Sequence, residues 1–416
     1  MIAKTIHIAI PAMNEKEYLP LTLNCIDRQH CRANIKIYIC INQPESWWED
    51  ADRLSICENN QQTAKLLDNY PDLDITLIDK SSKGNGWKDK KQGVGYARKS
   101  LTDYILSVAA DRDILINMDA DTVFESDYCQ SILDNFNEHK TSAGIAVPYY
   151  HLLTGSETED RAILRYEIYT RNYSLNLLRI GSPYAYTALG SAIACTIKSC
   201  RAVGGFDRYT SGEDFYFLQK LCKYGTILRY NKCMVYPAVR YSFRVPFGTG
   251  PAIYNGTADN WKSYPVFHHS GFDIIKDTYR QINILFSQNC HNEFIDFLEF
   301  VFSSNDLWSS LRKNYKTLST FTRAFHNKVD GLRIFQFLRN YQRNIIKQTD
   351  ENCLADFLKQ YYPHKYSYFF QEKELFSFAT TSIQKLNELR DFLMQEETNY
   401  QQIHDDDDEL NQNNKL

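Results

Sequence analysis

The chain has 416 residues, room for two or three domains, and its 43% apolar content is enough for a sizeable core and too much for a disordered chain. With 47 basic against 51 acidic side chains it carries a formal charge of −4, so no global electrostatic case for nucleic acid exists. No apolar run approaches the roughly 20 residues of a membrane span, no signal-peptide layout opens the chain, and 11 scattered cysteines without Cys-x-x-Cys fit a reduced, cytoplasmic protein.

Strand-like runs fall at Thr5–Ile10, Ile35–Ile41, Asp74–Ile78, Asp113–Met118 and Ala143–Val147. Between the first four lie helix-length segments, Glu15–Gln29, Asp50–Asn69 and Gly95–Ala109, with apolar residues at three- and four-residue spacing. Asn14 with Glu17 suits a capping box on the first of them. This alternation predicts an α/β fold, a mostly parallel sheet flanked by helices, whose ligands gather at the carboxyl ends of the strands. All but one of the 17 glycines and all but one of the 11 prolines lie at or before Gly271. Because both residue types punctuate turns, the expected division is a catalytic domain over 1–271, a helical region over 272–398 and a disordered acidic tail over 399–416.

The strand ends carry the chemistry. Pro11-Ala12-Met13-Asn14-Glu15 follows the first strand; by itself it reads first as a turn plus a helix cap. Asp119-Ala120-Asp121 follows the fourth. Two carboxylates one residue apart are costly unless solvated or paired with a cation, and a divalent metal with oxygen ligands would satisfy them. Such a metal could hold a diphosphate and neutralise it as it leaves. An ordinary acidic loop is the plain alternative. Downstream, Gly204-Gly205-Phe206-Asp207 and Gly212-Glu213-Asp214-Phe215 lead into a helix-like stretch. Its acidic start suits the helix dipole, or supplies a carboxylate to take a proton from a hydroxyl nucleophile.

In this order and spacing, these three motifs resemble family 2 glycosyltransferases of the GT-A fold over about residues 4–240. The resemblance implies that Pro11, Asn14 and Glu15 line a nucleotide pocket. It implies that Asp121 ligates Mn²⁺ or Mg²⁺ on the donor diphosphate, and that Asp119 contacts the donor ribose or sugar or assists the metal. Asp214 becomes the general base, with Glu213 as its alternative, for an inverting displacement that needs no enzyme nucleophile. Where many members carry a carboxylate after the second strand, this chain has Asn42-Gln43-Pro44-Glu45, leaving Asn42 or Glu45 for base or ribose recognition. The Gln-x-x-Arg-Trp signature of processive synthases is absent, which argues against polymer extrusion.

Further donor contacts are expected from Lys83 in the basic, glycine-bearing loop 83–95, from Arg98 one turn into the next helix, and from Arg244 beside a glycine-flanked turn. His151, His268 and His269 are more often satisfied or exposed histidines than metal ligands. Tyr166, Tyr169, Tyr173, Tyr184 and Tyr186 read first as core, second as a stacking surface for an acceptor sugar. Residues 306–347 hold nine basic against two acidic side chains, interleaved with Leu311, Leu318, Phe321, Phe325, Leu332, Phe335 and Leu338. A packed bundle with a solvated basic face is the first reading, and peripheral contact with anionic lipid the second.

The expected function is therefore metal-dependent inverting transfer of a sugar from a nucleotide-sugar donor to a hydroxyl acceptor, a glycan or lipid-linked, in cell-surface glycan or glycolipid assembly. A nucleotidyltransferase shares the layout but would open with a glycine-rich basic loop where Pro11–Glu15 stands. A non-catalytic nucleotide or glycan binder would have no need of Asp119, Asp121 and Asp214.

Overall fold

The computed structural model describes residues 4–88, 92–209, 211–240, 249–257, 260–370 and 376–413. By its contacts the chain divides into two compact units. One comprises Met1–Glu159, Ala188–Tyr254 and Gln402–Leu416, the other Asp160–Thr187 and Asn255–Gln401.

The first unit is built on strands β1 (Thr5–Ala12), β2 (Asn34–Asn42), β3 (Ile75–Lys80), β4 (Ile114–Asn117), β5 (Thr122–Phe124), β6 (Gly144–Ala146), β7 (Ile193–Thr196), β8 (Ile227–Leu228) and β9 (Val235–Pro237). Seven of them form one sheet in the order β3-β2-β1-β4-β7-β6-β8, and β5 pairs with β9 separately. Within the seven-stranded sheet the pairings are parallel except β4 with β7 and β6 with β7, and the separate β5–β9 pair is antiparallel. Helices α1 (Leu19–Asp27), α2 (Leu54–Leu66), α3 (Val94–Val108), α4 (Tyr128–Glu138), α6 (Ile197–Ala202) and α7 (Glu213–Tyr224) belong to this unit, and α5 (Glu157–Arg179) runs on into the second. A mostly parallel sheet flanked by helices, with a helical C-terminal region, is the architecture the sequence predicts.

Alternation explains the central strands. Ile6, Ile8, Ile10 and Ala12 of β1 join Ile114 and Ile116 of β4 in one apolar core with Leu19, Leu23 and Ile26 of α1. His7, Ala9 and Pro11 take the opposite face, and both faces are buried, as a parallel sheet requires. The Ala9 carbonyl accepts from the Met118 N–H, so the backbone of Ala9, and of Pro11 two residues on, faces β4. The β1–β4 register ends at Ala9 with Asn117. Proline, lacking an N–H, therefore stands where no ladder partner is needed. β1 is followed by β2 on one side and flanked by β4 on the other, so the strand order reverses here, where an open α/β sheet holds its ligand.

The capping box fails. Helix α1 starts at Leu19 with Pro20 beside it, and Tyr18 at its cap gives no side-chain bond. Proline belongs in a helix's first turn, so Pro20 sets the start five residues later than Asn14. Asn14 instead has φ 61° and donates its N–H to Asn60 Oδ1 at 2.7 Å.

Two boundaries differ from the sequence reading. The contact division crosses residue 271, because Asp160–Thr187 belongs with Asn255–Gln401. Helix α5 follows the last strand-like run read from the sequence and carried no break to mark a boundary. The final helix, Ile383–Asn413, also runs through the segment expected to be a disordered tail from 399. There Asp405 is buried and accepts from the N–H groups of Arg229 and Tyr230 at 2.8 and 2.9 Å. An acidic run reads as solvated only until one of its members meets unpaired backbone donors.

In the second unit, α5 is buried on nearly every side: 17 of its 23 residues are inside. Tyr166, Tyr169 and Tyr173 pack among Tyr264, Phe267, Phe272 and Phe335, and Tyr184 against Tyr186, so these aromatics are core. Phe321, Phe325 and Leu338 of the basic region are likewise buried, whereas Leu318 is exposed. Arg312 donates to the Leu285 carbonyl, and Lys328 and Arg333 lie over the Phe302 ring. The packed-bundle reading accounts for these residues. Among the described residues no helix is long and apolar enough to cross a membrane.

Candidate active site

Helix α3 delivers Arg98 to the carboxyl end of β4. Its guanidinium is 2% exposed and bridges two elements: Nη2 donates to Asp119 Oδ1 at 2.5 Å and Nε to Glu213 Oε1 at 3.1 Å. Three glycines make this approach possible. A Cβ on Gly190 would lie 2.1 Å from Arg98 Nη2 and 3.3 Å from Asp119 Oδ1. One on Gly95 would lie 2.0 Å from the Tyr209 carbonyl oxygen. Gly212, at φ 71°, turns the chain so that α7 begins at Glu213. Phe206, stacked on Phe217 at 4.0 Å, lies under Arg98.

Asp214 follows Glu213 in the first turn of α7. Burial and then the adjacent Glu213 charge push its carboxyl up from 3.8 to about 7, although Arg98 and the Phe215 N–H pull the other way. A carboxylate near neutrality matches what a general base needs.

Asp121 is fixed from two sides. Buried Thr22 of α1 lies within hydrogen-bonding distance of the carbonyls of Ala120 and Thr122, at 3.0 and 2.9 Å. The β5–β9 pairing continues with the Ala238 N–H donating to the Asp121 carbonyl. Beyond that pairing Arg240 reaches back. Its Nε donates to Asp121 Oδ2 at 2.7 Å and its Nη2 to Glu15 Oε1 at 2.6 Å, with the guanidinium 4.3 Å from the Tyr18 ring centre. Sequence reasoning missed Arg240. Its signal lay in strand pairing, since β9 is antiparallel to the strand that immediately follows Asp121.

The structure thus joins Arg98, Asp119 and Glu213 in one chain of ion pairs and Glu15, Arg240 and Asp121 in another. Asn42 is occupied: Nδ2 donates to the Ala12 carbonyl at 3.0 Å and Oδ1 accepts from Trp87 Nε1 at 3.3 Å. Glu45 accepts from the N–H groups of Gly84 and Gly86 at 2.7 and 2.8 Å, so it holds the 82–87 loop rather than standing ready for a base. Lys83 is exposed on that loop. Arg244 lies outside the described residues. His151 is buried against Tyr149, and His268 and His269 contact Asp356 and Asp273 in the second unit. Among the described residues, Asn117, two residues before Asp119 and fully buried, has no hydrogen-bond partner for its amide, nor has Arg98 Nη1. Neither feature was evident in the sequence.

The family model described as glycosyl transferase family group 2 matches residues 114–283, from β4 through the acidic pair and the Gly212-Glu213-Asp214 turn. This segment belongs to glycosyl transferase family group 2. The chain therefore carries a glycosyltransferase domain. No curated protein matches the sequence. Among solved structures, the Staphylococcus aureus TarS fragment 1–349 in complex with UDP-GlcNAc is similar at 13% identity and TM-score 0.41, over 88% of this chain and 91% of that one. The mannosyltransferase PcManGT of Pyrobaculum calidifontis, in complex with GDP-Man and Mn²⁺, is similar at 12% and 0.37, over 79% and 88%.

Proposed function

We propose that this glycosyltransferase moves a sugar from a nucleoside-diphosphate donor to a hydroxyl acceptor by a single inverting displacement. The observation that carries the proposal is Asp214, a carboxyl held near neutrality beside the Arg98–Asp119–Glu213 ion pairs. As base it takes the acceptor's proton while the hydroxyl oxygen attacks the anomeric carbon and the diphosphate leaves from the opposite face. Pro11, Asn14 and Glu15 at the end of β1 border the nucleotide. Arg98 holds Asp119 and Glu213 in place, and Glu213 orients the acceptor or the base.

The donor set fits Mn²⁺ or Mg²⁺. Asp119 and Asp121 offer hard carboxylate oxygens, and such ions bind through one or two carboxylates with phosphate and water filling the rest. The ion, when bound, supplies positive charge to the leaving diphosphate. A glycan or lipid-linked hydroxyl is the acceptor in this reading, with assembly at the cytoplasmic face of a membrane. Salt-sensitive co-sedimentation with anionic vesicles tests the membrane part. A thermal-shift screen of sugar nucleotides with and without Mn²⁺ tests the donor part. A donor that raises the melting temperature only with Mn²⁺ and is then turned over supports the proposal; no turnover of any sugar nucleotide overturns it.

A further inference from the structure

The Asp121 carboxylate, read above as the metal ligand, already has a cation on it. Arg240 meets Oδ2 at 2.7 Å, spans to Glu15 Oε1 at 2.6 Å and rests on Tyr18. The Arg240 side chain is 17% exposed and that of Asp121 15%, so this pair is only partly screened by water. The β5–β9 pairing and the Ala238 N–H bond to the Asp121 carbonyl fix the approach from the backbone. Both Arg240 contacts fall on Oδ2, so a divalent ion reaching Asp121 would stand within a few ångströms of the guanidinium, and in a partly buried site the repulsion between the two cations is substantial.

We infer that Arg240 is an internal counter-cation that competes with the divalent ion for Asp121. In the donor-free enzyme the guanidinium lies between the Asp121 and Glu15 carboxylates and offsets part of their negative charge. A divalent ion gains Asp121 only as Arg240 lets go, and the donor's diphosphate supplies the oxygens that favour the exchange. The released guanidinium, still tied to Glu15 and Tyr18, stays within reach of those phosphates. The order of events is then coupled: donor and metal enter together, and neither binds well alone.

This inference rests on the metal role proposed for Asp121, and the test separates the two. Calorimetric titration of the full chain with Mn²⁺ alone should show weak binding. Arg240→Gln should bind Mn²⁺ at least tenfold more tightly, and the gain should vanish in Arg240→Gln/Asp121→Asn. Equal affinity in wild type and Arg240→Gln overturns the competition, as does a gain that survives loss of Asp121. In either case Mn²⁺-dependent donor binding in the wild type would leave the metal reading standing, and its absence would remove that reading too. Should Arg240→Gln fail to fold, Tyr18→Leu, which removes the ring beneath the guanidinium, should tighten Mn²⁺ in the same direction; no change would overturn the inference.

Discussion

Both units of this glycosyltransferase bury arginine against carboxylate, and they do so to different ends. In the second unit Arg171 donates to Glu167 and Glu397, each at 2.9 Å, and Arg390 lies 3.7 Å from Glu167; all four side chains are at most 6% exposed. Arg165 meets Asp350 in the same unit. These pairs join α5 to the final helix and to the helix that begins at Asp350; those to the final helix are sealed from water, and Asp350 is 24% exposed. At the strand ends of the first unit Arg98 is equally buried, but the Asp119 it holds is 37% exposed. Its other partner, Glu213, is 5% exposed, so in that network only the Asp119 end opens to solvent. The second unit's network fixes a bundle, and the strand-end network has the opening that the inference above requires.

The comparison is tested most severely at Asp214. General-base assistance typically contributes 10²–10⁴-fold, or roughly 2.7–5.4 kcal/mol of barrier. Asp214→Asn should retain donor and metal binding and lose turnover by about that factor, while Glu213→Gln loses less. Steady-state kinetics on the donor found by the screen is the check. Near-normal turnover in Asp214→Asn with collapse in Glu213→Gln would transfer the role.

In the sealed network the expected loss is of stability instead. Glu397→Ala leaves Arg171 facing Glu167 with one partner gone, and removal of one member of a buried pair costs about 3–5 kcal/mol. Thermal unfolding should show a clear drop in melting temperature, with donor affinity unchanged in the protein that remains folded. A drop in donor affinity equal to that of a strand-end variant would erase the distinction between the two networks.

A smaller effect should follow from Gly190→Ala. The new methyl would press on Arg98 Nη2, the atom that donates to Asp119, while Glu213 holds Nε, so the Arg98–Asp119 pair must part. Donor binding measured by calorimetry should weaken by about tenfold, the value of roughly one charge-assisted hydrogen bond, with the melting temperature shifting by only a few degrees. Unchanged donor affinity would detach Asp119 from the donor site.

Much of this was legible in the chain because its signals are local. Ile6, Ile8 and Ile10 announce β1 by alternation, and Asp119 and Asp121 announce a site by standing together where a strand ends. What escaped was set by partners distant in sequence. Arg240 matters only because β9 pairs with β5. Asn42 and Glu45 looked like base contacts until Trp87 and the N–H groups of Gly84 and Gly86 proved to occupy them. Asp405 looked like part of a solvated tail until Arg229 and Tyr230 offered it two N–H groups. Helix α5 carried no break, so its tyrosines read as core while its place in the second unit stayed hidden.

The mildest test uses pH alone. The Asp214 carboxyl rises from 3.8 to about 7, chiefly through burial and then through Glu213. A base works only when deprotonated, so kcat/KM should climb tenfold per unit below pH 7 and level off above it, falling about tenfold at pH 6 relative to the plateau. Asp214→Asn should abolish that limb. The same displacement has a thermodynamic counterpart of opposite sense. A carboxyl whose pKa is higher folded than unfolded contributes stability that is fully present below about 3.8, the unfolded value, and is lost as pH rises through about 7. Asp214→Asn, which never ionises, should therefore melt above the wild type at pH 8, with the gap closing as pH falls toward 4. A rate limb near pH 4, or a melting gap that does not depend on pH, would return Asp214 to an ordinary exposed carboxylate and leave the strand-end network without its base.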